Sequence, residues 1–261
     1  MEIVFKTNEQ IIAKAPAVMS ETHESNLSSK YTHIPTKQLI EDMSKLGWGV
    51  VDVKQGITRK GNENHKKHLV TFRNPDLKIA SANGDDVVYP QILLINSHDG
   101  KSSFQFRAGL FRLVCANGLV ICTEDYGQMR MRHSGYSFGE LQNTIREMVN
   151  NIPNTIETLN NFKKKILTEQ EKMELALKSI EIRFGEETEV TPIDLLEAIR
   201  EEDKKDDLWT IFNVIQEKLI RGGFRYKNRQ GKMRRARKIS NFVKDISINQ
   251  KLFELANEYT N

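Results

Sequence analysis

Hydrophobic and polar residues alternate in the first half of the chain, whereas apolar residues follow a helical period in the second half. Apolar alternation predicts strands at residues 48–59, 66–73, 87–97 and 102–112. Asp99 and Gly100 lie between the last two of these segments and indicate a hairpin turn. From Leu141 to Ile166, apolar residues recur every three or four positions, which is typical of a long amphipathic helix.

Capping residues mark where the helices begin and end. Pro153 lies inside the long helical pattern and predicts a kink or break, because proline removes a helical hydrogen bond. Thr168 and Glu171 form a capping-box pattern at the start of the next helix. Apolar periodicity and these signals predict further helices at residues 36–46, 168–184, 207–219 and 237–259.

The order of these elements predicts an α+β fold. One helix precedes an N-terminal antiparallel sheet with hairpins, and a long helix and a helical C-terminal half follow it. We therefore divide the chain into an N-terminal arm (1–35), an antiparallel sheet region (36–135) and a helical region (136–261). Phe104 and Phe106 are expected on one face of their strand. The core of the helical region is expected to include Trp209, Phe212, Ile215 and Leu219.

Composition indicates a globular protein of the cytoplasm. The chain has 261 residues, of which 38% are hydrophobic and 28% charged, and no run of about 18 apolar residues that would span a membrane. Its N-terminus has no secretory signal pattern. Two cysteines, Cys115 and Cys122, fit a reducing compartment and are best explained as small core residues.

The net charge of +4 conceals two opposed segments of the helical region. Residues 169–207 hold 14 acidic and 6 basic side chains, a net charge of −8. Residues 218–238, which we call the basic segment, hold ten basic and no acidic side chains. A concentrated positive charge of this kind is typical of a protein that binds a polyanion.

The basic segment therefore supplies the main candidate binding residues. Its cations could neutralise phosphates, and the interleaved Phe224 and Tyr226 could stack on unpaired bases. Two alternatives are docking of the segment on the acidic residues 169–207, where the acids would compete with a nucleic acid, and simple solvation. The candidate residues are Lys218, Arg221, Arg225, Tyr226, Lys227, Arg229, Lys232, Arg234, Arg235, Arg237 and Lys238.

A second set of basic residues lies in the predicted sheet. Lys67 and Arg73 are an even number of residues apart and are expected on one face of their strand. Arg107 and Arg112 are the candidate contact residues of this set. The alternative is an ordinary solvated outer face, which is common in antiparallel sheets.

Catalytic and metal-binding patterns are weak. Cys115 could act as a nucleophile with His98 or His133 as base, but no third residue is identified that would orient the base. His65 and His68 lack a second ligand pair at a zinc-like spacing. We therefore predict a protein that is not an enzyme and that requires no metal or cofactor.

Several spaced motifs carry a resemblance to a known family. The central motif is formed by Asn96, Ser97, His98, Asp99, Gly100, Gly109, Arg112, Val114, Cys115, Asn117, Gly118 and Leu119. Further motif segments are Arg130–His133, 208–219 (LWTIFNVIQEKL) and 235–256. Through these motifs the chain resembles, over most of its length beyond residue 36, the phage and plasmid-like family catalogued as domain of unknown function 932. The resemblance implies a mobile-element context near replication, recombination and anti-defence genes, and it assigns no biochemical activity.

The order of elements also resembles the core of phage single-strand annealing proteins. That resemblance implies a basic groove for single-stranded DNA and assembly into homo-oligomers. The first functional hypothesis is a nucleic-acid-binding protein of a phage or mobile element, with single-stranded DNA as the favoured partner in recombination or replication. The alternative is an anti-defence or anti-restriction protein that binds a host protein through its acidic residues 169–207.

Overall fold

The computed structural model divides into two compact units, Met1–Ile152 and Pro153–Asn261. The first contains an antiparallel sheet and the second is mainly helical, which confirms the α+β class. No helix in the described part of the chain is both long and apolar enough to cross a membrane. The structure describes residues 3–27, 31–56, 62–80, 87–102, 104–112, 117–119, 128–131, 137–186 and 188–260.

In the first unit, two helices precede the sheet and one follows it. These are α1 (Asn8–Lys14), α2 (Thr36–Lys45) and α3 (Phe138–Asn150). The described strands are β1 (Gly49–Gln55), β2 (His68–Arg73), β3 (Ile79–Ala80), β4 (Val87–Asn96), β5 (Phe104–Arg112), β6 (Asn117–Leu119) and β7 (Gln128–Met131). They pair antiparallel in the order β1-β2-β4-β5-β6, with β3 also on β4 and β7 also on β5. β1, β2, β4 and β5 each lie within a predicted strand segment.

The β4–β5 connection is the predicted hairpin at Asp99 and Gly100. Gly100 has a φ of 71°, a left-handed conformation that favours glycine. The carboxylate of Asp99 accepts a hydrogen bond from the backbone N–H of Lys101 at 3.0 Å. The geometry of the turn therefore explains why Asp and Gly occupy positions 99 and 100.

One face of this sheet forms the core of the first unit. Phe104 and Phe106 share that face as predicted, and their rings pack edge to face at 4.9 Å between centroids. Helix α2 contributes Leu39, and helix α3 contributes Leu141 and Ile145 to the same cluster. Each buried side chain of this size stabilises the fold by roughly 1.5–3 kcal/mol, so the sheet and helices form one cooperative core.

The N-terminal residues that were predicted to form an arm, 1–35, contain packed structure. Helix α1 begins with a capping box in which Thr7 and Gln10 satisfy each other's backbone N–H groups. Ile11, Val18 and Ile34 are buried in the core of the first unit. The sequence predicted a single helix before the sheet, and that part of the prediction was wrong. Helix α1 buries only one of its own residues, so its sequence shows no helical period of apolar residues.

The long helical pattern is divided into α3 and α4 (Ile152–Lys164) at Asn151, which confirms the break predicted from Pro153. The boundary between the compact units falls between Ile152 and Pro153. It differs from the predicted boundary at residues 135 and 136, because α3 buries Leu141 and Ile145 in the core of the sheet.

The second unit contains the remaining helices. These are α5 (Glu169–Phe184), α6 (Pro192–Leu196), α7 (Leu208–Arg221) and α8 (Phe242–Asn257). Thr168 and Glu171 form the predicted capping box of α5. Helix α7 is almost entirely enclosed, and its Trp209 and Phe212 stack at 6.0 Å between centroids. The four predicted core residues of α7, Trp209, Phe212, Ile215 and Leu219, are all buried.

Helix α8 begins later than the sequence predicts. The predicted helix 237–259 starts only at Phe242, after Asn241 accepts hydrogen bonds from the backbone N–H groups of Val243 and Lys244. Arg237 and Lys238 therefore belong to the extended chain that leaves a small hairpin of strands β8 (Arg225–Lys227) and β9 (Met233–Arg235).

Candidate nucleic-acid interface

The basic segment folds into the β8–β9 hairpin, which the sequence did not predict. Its turn is organised by Asn228, whose side-chain oxygen accepts hydrogen bonds from the backbone N–H groups of Gln230 and Lys232 at 3.1 and 3.0 Å. Gly231 adopts a left-handed φ of 69°. Asn and Gly are the residues that such a turn requires, so the local sequence determines the hairpin.

The base of the hairpin is fixed to helices α5 and α7. The backbone N–H groups of Gly223 and Ala236 donate to the carbonyls of Ala236 and Phe224, at 2.9 Å in each case. The Arg183 guanidinium on α5 donates to the carbonyl oxygens of Leu219 and Arg237. Burial lowers the pKa of Arg183, although the group remains a cation at neutral pH. The hairpin is thus held in place by hydrogen bonds at its base.

The strand register brings like charges together. Arg225 lies directly opposite Arg235, and Tyr226 lies opposite Arg234. Directly opposed like charges destabilise an antiparallel pair. The repulsion between Arg225 and Arg235 therefore lowers the stability of the strand pair. An anion bound between the two side chains would remove this repulsion.

Most of the basic segment is accessible to solvent. Lys218 is half-buried, and the other nine basic residues are exposed. These nine are Arg221, Arg225, Lys227, Arg229, Lys232, Arg234, Arg235, Arg237 and Lys238. The structure therefore brings the predicted cations together on one small exposed element.

Ion pairs with the acidic residues 169–207 involve only part of the basic segment. Lys218 lies 3.0 Å from Glu197, and Lys227 lies 2.9 Å from Glu189. Glu189 also exchanges backbone hydrogen bonds with Lys227, so this acid extends the edge of β8. Among the residues that the structure describes, no carboxylate pairs with Arg225, Lys232, Arg234, Arg235, Arg237 or Lys238.

Aromatic rings support one side of the hairpin. The Phe184 ring, at the end of α5, lies 4.9 Å from the Tyr226 ring and 5.8 Å from the Phe224 ring between centroids. The Arg183 guanidinium lies 4.8 Å from the centroid of the Phe184 ring. These contacts hold the Tyr226 ring half-buried beside the exposed cations.

A groove of about 790 Å³ lies beside this aromatic cluster. Four residues that line it lie outside the basic segment and were not predicted from the sequence: Arg183, Phe184, Thr188 and Lys244. In the sequence, Phe184 immediately before Gly185 indicates the end of a helix. Nothing in the sequence indicates that its ring contacts β8. The lining residues are Arg183, Phe184, Thr188, Tyr226, Asn228, Arg229, Gln230, Met233, Arg234, Arg235, Ala236, Arg237 and Lys244.

The basic residues predicted on the sheet belong to the first unit. Arg107 is half-buried and donates to the side-chain oxygen of Gln105 at 2.8 Å. Burial lowers the pKa of Arg73 to about 10. The backbone of Arg112 pairs with Val88 and Asn117, while its side chain lies outside the described part of the structure. The two described arginines are thus less exposed than those of the hairpin.

Histidines form a separate cluster in the first unit. The His98 ring lies 4.7 Å from the His33 ring and 5.1 Å from the His68 ring between centroids. His23 lies 5.5 Å from His33, and His65 contacts Thr22 at 2.9 Å. His65, His68 and His98 are buried. Imidazole rings therefore connect the N-terminal residues to the loops at the end of β4.

Each central imidazole has a defined structural partner. His68 Nδ1 donates to the Lys66 carbonyl at 2.8 Å, and its Nε2 accepts from the Thr36 hydroxyl at 2.7 Å. His98 Nε2 donates to the Ala17 carbonyl at 3.1 Å. Burial lowers the pKa of His68 to about 4. Burial and the nearby His68 and His33 rings lower the pKa of His98 to about 2.

These histidines do not form a metal-ligand group with other side chains in the part of the chain described. No three His, Cys, Asp or Glu side chains there converge as ligands of a metal ion. His98, which was considered as a base, lies in the histidine cluster and donates to a backbone carbonyl. Cys115 and His133, the other residues of that hypothesis, lie outside the described residues, as does Cys122, which was expected to be a core residue.

Comparison with known proteins places the chain in a family. The sequence profile described as "Domain of unknown function (DUF932)" matches residues 23–241. Two proteins of Escherichia coli (strain K12), "UPF0380 protein YafZ" and "UPF0380 protein YfjQ", are each 32% identical over 252 residues, which cover 96% of this chain and 90% of each relative. No solved structure matches significantly. The profile covers well over half of the sequence, and the chain belongs to the family of domain of unknown function 932.

Proposed function

We propose that this protein binds nucleic acid through the β8–β9 hairpin, with single-stranded DNA as the favoured ligand. The observation that supports this most directly is the exposed pair of Arg225 and Arg235, which face each other across the hairpin with no carboxylate partner among the described residues. Phosphates between the two side chains would convert their repulsion into attraction.

The proposed activity is strand binding, and annealing by aligned copies, in the recombination or replication of a phage or other mobile element. The protein would act in the host cytoplasm, as a homo-oligomer and without a cofactor. Charge neutralisation releases the counterions that surround the phosphates, so affinity is expected to fall steeply with salt.

The first experiment is a titration of labelled single-stranded and double-stranded DNA, and of RNA, over a series of salt concentrations. Replacing Arg234, Arg235, Arg237 and Lys238 with Gln should weaken binding at low salt. Each lost phosphate contact should reduce the slope of log affinity against log salt by about 0.7 for a single strand.

A matched control removes positive charge elsewhere in the same unit. Lys164, Lys204, Lys205 and Lys251 are exposed and lie outside the basic segment. Replacing all four with Gln removes the same charge as the hairpin variant and should leave the slope unchanged. The proposal is contradicted if the protein binds no nucleic acid at low salt, or if the control and the hairpin variant weaken binding equally.

The alternative proposal, a protein that binds a host enzyme through acidic residues 169–207, has less support. Many of these acids already lie next to basic side chains of the same unit, so they imitate a DNA backbone poorly. The paired residues are Glu169, Glu171, Glu174, Glu189, Glu197, Glu201, Asp203 and Asp206. Co-purification of one stoichiometric host protein that survives nuclease treatment would favour this alternative.

A further inference from the structure

We infer that the groove beside Phe184 and Tyr226 is a pocket for one unpaired nucleobase, which stacks on the Tyr226 ring while Arg234 binds the adjoining phosphate. This inference rests on the proposed function, since it assigns the part of the ligand that the groove recognises. It separates base recognition from the general attraction between the hairpin and phosphates.

The strand register places the two required groups side by side. Tyr226 and Arg234 are directly opposite each other in the hairpin. Cβ atoms of opposed residues in an antiparallel pair are about 4.5–5.5 Å apart and point to the same face. A ring and a guanidinium at that spacing can contact the base and the phosphate of one nucleotide.

The Tyr226 ring is already held in position without ligand. Phe184 packs against it at 4.9 Å between centroids, at an angle of 54° between the ring planes. Phe184 is in turn covered by Arg183, whose guanidinium is fixed by two backbone carbonyls. A base that stacks on Tyr226 therefore meets a ring with little conformational freedom left to lose.

The groove also has the size and charge that a nucleotide requires. Its volume of about 790 Å³ lies within the roughly 300–1,000 Å³ that is typical of ligand sites. Its described lining contains basic, polar and aromatic side chains and no Asp or Glu. Arg234, Arg237 and Lys244, which line it, form no ion pair with a described carboxylate. An anionic ligand with a planar ring fits this combination.

Such a pocket discriminates between single and double strands. In a duplex both faces of each base are covered by neighbouring base pairs, so a base must be unstacked before it can reach Tyr226. An unpaired base has an available face, and stacking on an aromatic side chain depends little on base identity. The expected specificity is therefore for unpaired strands of any sequence.

The test compares Tyr226→Leu with Tyr226→Phe on a short oligothymidylate. Removing the ring should raise the dissociation constant about 5- to 150-fold, whereas Tyr226→Phe should retain most of the affinity. The salt slope should remain that of the wild type in both variants, since no phosphate contact is removed. Duplex binding should be the same in all three proteins.

A change in the ligand provides a control that does not depend on folding of the variants. An abasic strand of the same length has the same phosphates and no bases. The wild-type protein should bind it as weakly as Tyr226→Leu binds oligothymidylate. Equal wild-type affinity for both strands, or an unchanged affinity of Tyr226→Leu, would overturn the inference while leaving phosphate binding by the hairpin intact. Absence of binding to every strand would instead overturn the proposed function.

Discussion

The β8–β9 hairpin and the histidine cluster show two opposite arrangements of titratable side chains. In the first unit, His68 and His98 are buried beside neighbouring imidazoles and hydrogen-bond backbone carbonyls. In the second unit, Arg225 and Arg235 oppose each other and are both exposed to solvent. The histidines contribute to stability as neutral groups, whereas the hairpin cations oppose each other and weaken their own strand pair.

This difference separates structural from binding roles in physical terms. A buried imidazole that hydrogen-bonds a backbone carbonyl is part of the folded structure and is inaccessible to a ligand in solution. An exposed group whose neighbours repel it gains most when an opposite charge arrives. The chain concentrates the second type in the hairpin, which is why we propose binding at that element rather than at the motif around His98.

The largest expected difference between the two units is their response to acid. His68 and His98 stay neutral in the folded protein, with pKa values lowered to about 4 and about 2, whereas unfolded histidines gain a proton near pH 6.5. The stability from these groups is therefore complete above pH 6.5 and is lost as the pH falls below it. Between pH 7 and pH 5 the free energy of unfolding of the first unit should fall by about 4 kcal/mol.

Single-tryptophan variants measure this effect in each unit. Trp48 is buried in the first unit and Trp209 in the second. Urea unfolding of Trp209→Phe reports the first unit, and that of Trp48→Phe reports the second, which contains none of the six histidines. Equal losses of stability in the two variants would show that the histidine cluster is not the cause.

A smaller effect is expected at the base of the hairpin. Gly222 has a φ of 68°, and a Cβ atom there would overlap the carbonyl oxygen of Ala236. Gly222→Ala should lower the free energy of unfolding of the second unit by about 2 kcal/mol or more. The control is Gly231→Ala, because Gly231 has a similar φ of 69° but no atom within 4 Å of the added Cβ. Equal effects of both changes in urea unfolding would exclude the overlap as the cause.

Reversing one charge of the opposed pair should separate stability from binding. Arg235→Glu places a carboxylate opposite Arg225 and should stabilise the second unit by about 0.2–1 kcal/mol. The same variant should bind nucleic acid more weakly than wild type. Arg237→Glu, which lies outside the paired strands, should weaken binding without that gain in stability. A loss of stability in Arg235→Glu would contradict the repulsion that we infer from the register.

The smallest expected effect is the response to salt without ligand. Salt screens the repulsion between exposed Arg225 and Arg235, so the second unit should gain a few tenths of a kcal/mol between low and moderate ionic strength. The Trp48→Phe variant measures this gain by urea unfolding. Arg235→Glu should reverse its sign, since screening then weakens an attraction.

The periodic elements could be predicted from the sequence because burial of one face imposes a local pattern. Phe104 and Phe106, the α7 core residues and the break near Pro153 all followed from such patterns. Helix α1 could not be found in this way, since Ile11 is its single buried residue. Its signal was the capping box of Thr7 and Gln10.

The candidate site was predictable in composition but not in shape. Charge counts alone identified the basic segment, yet its strands are three residues long and mostly exposed, so they show no apolar alternation. The hairpin depends on the Asn228 turn and on contacts with distant residues, including Glu189 and Phe184. Sequence spacing carries no information about which helix end meets which strand.

Chemical modification of arginines, read out by mass spectrometry with and without a short single-stranded oligonucleotide, tests the central claim at the level of single residues. We predict that the oligonucleotide protects Arg225, Arg234 and Arg235 of the hairpin, while Arg73 and Arg107 on the sheet react at the same rate in both samples. Unchanged modification of the hairpin arginines in the presence of saturating strand would contradict the account.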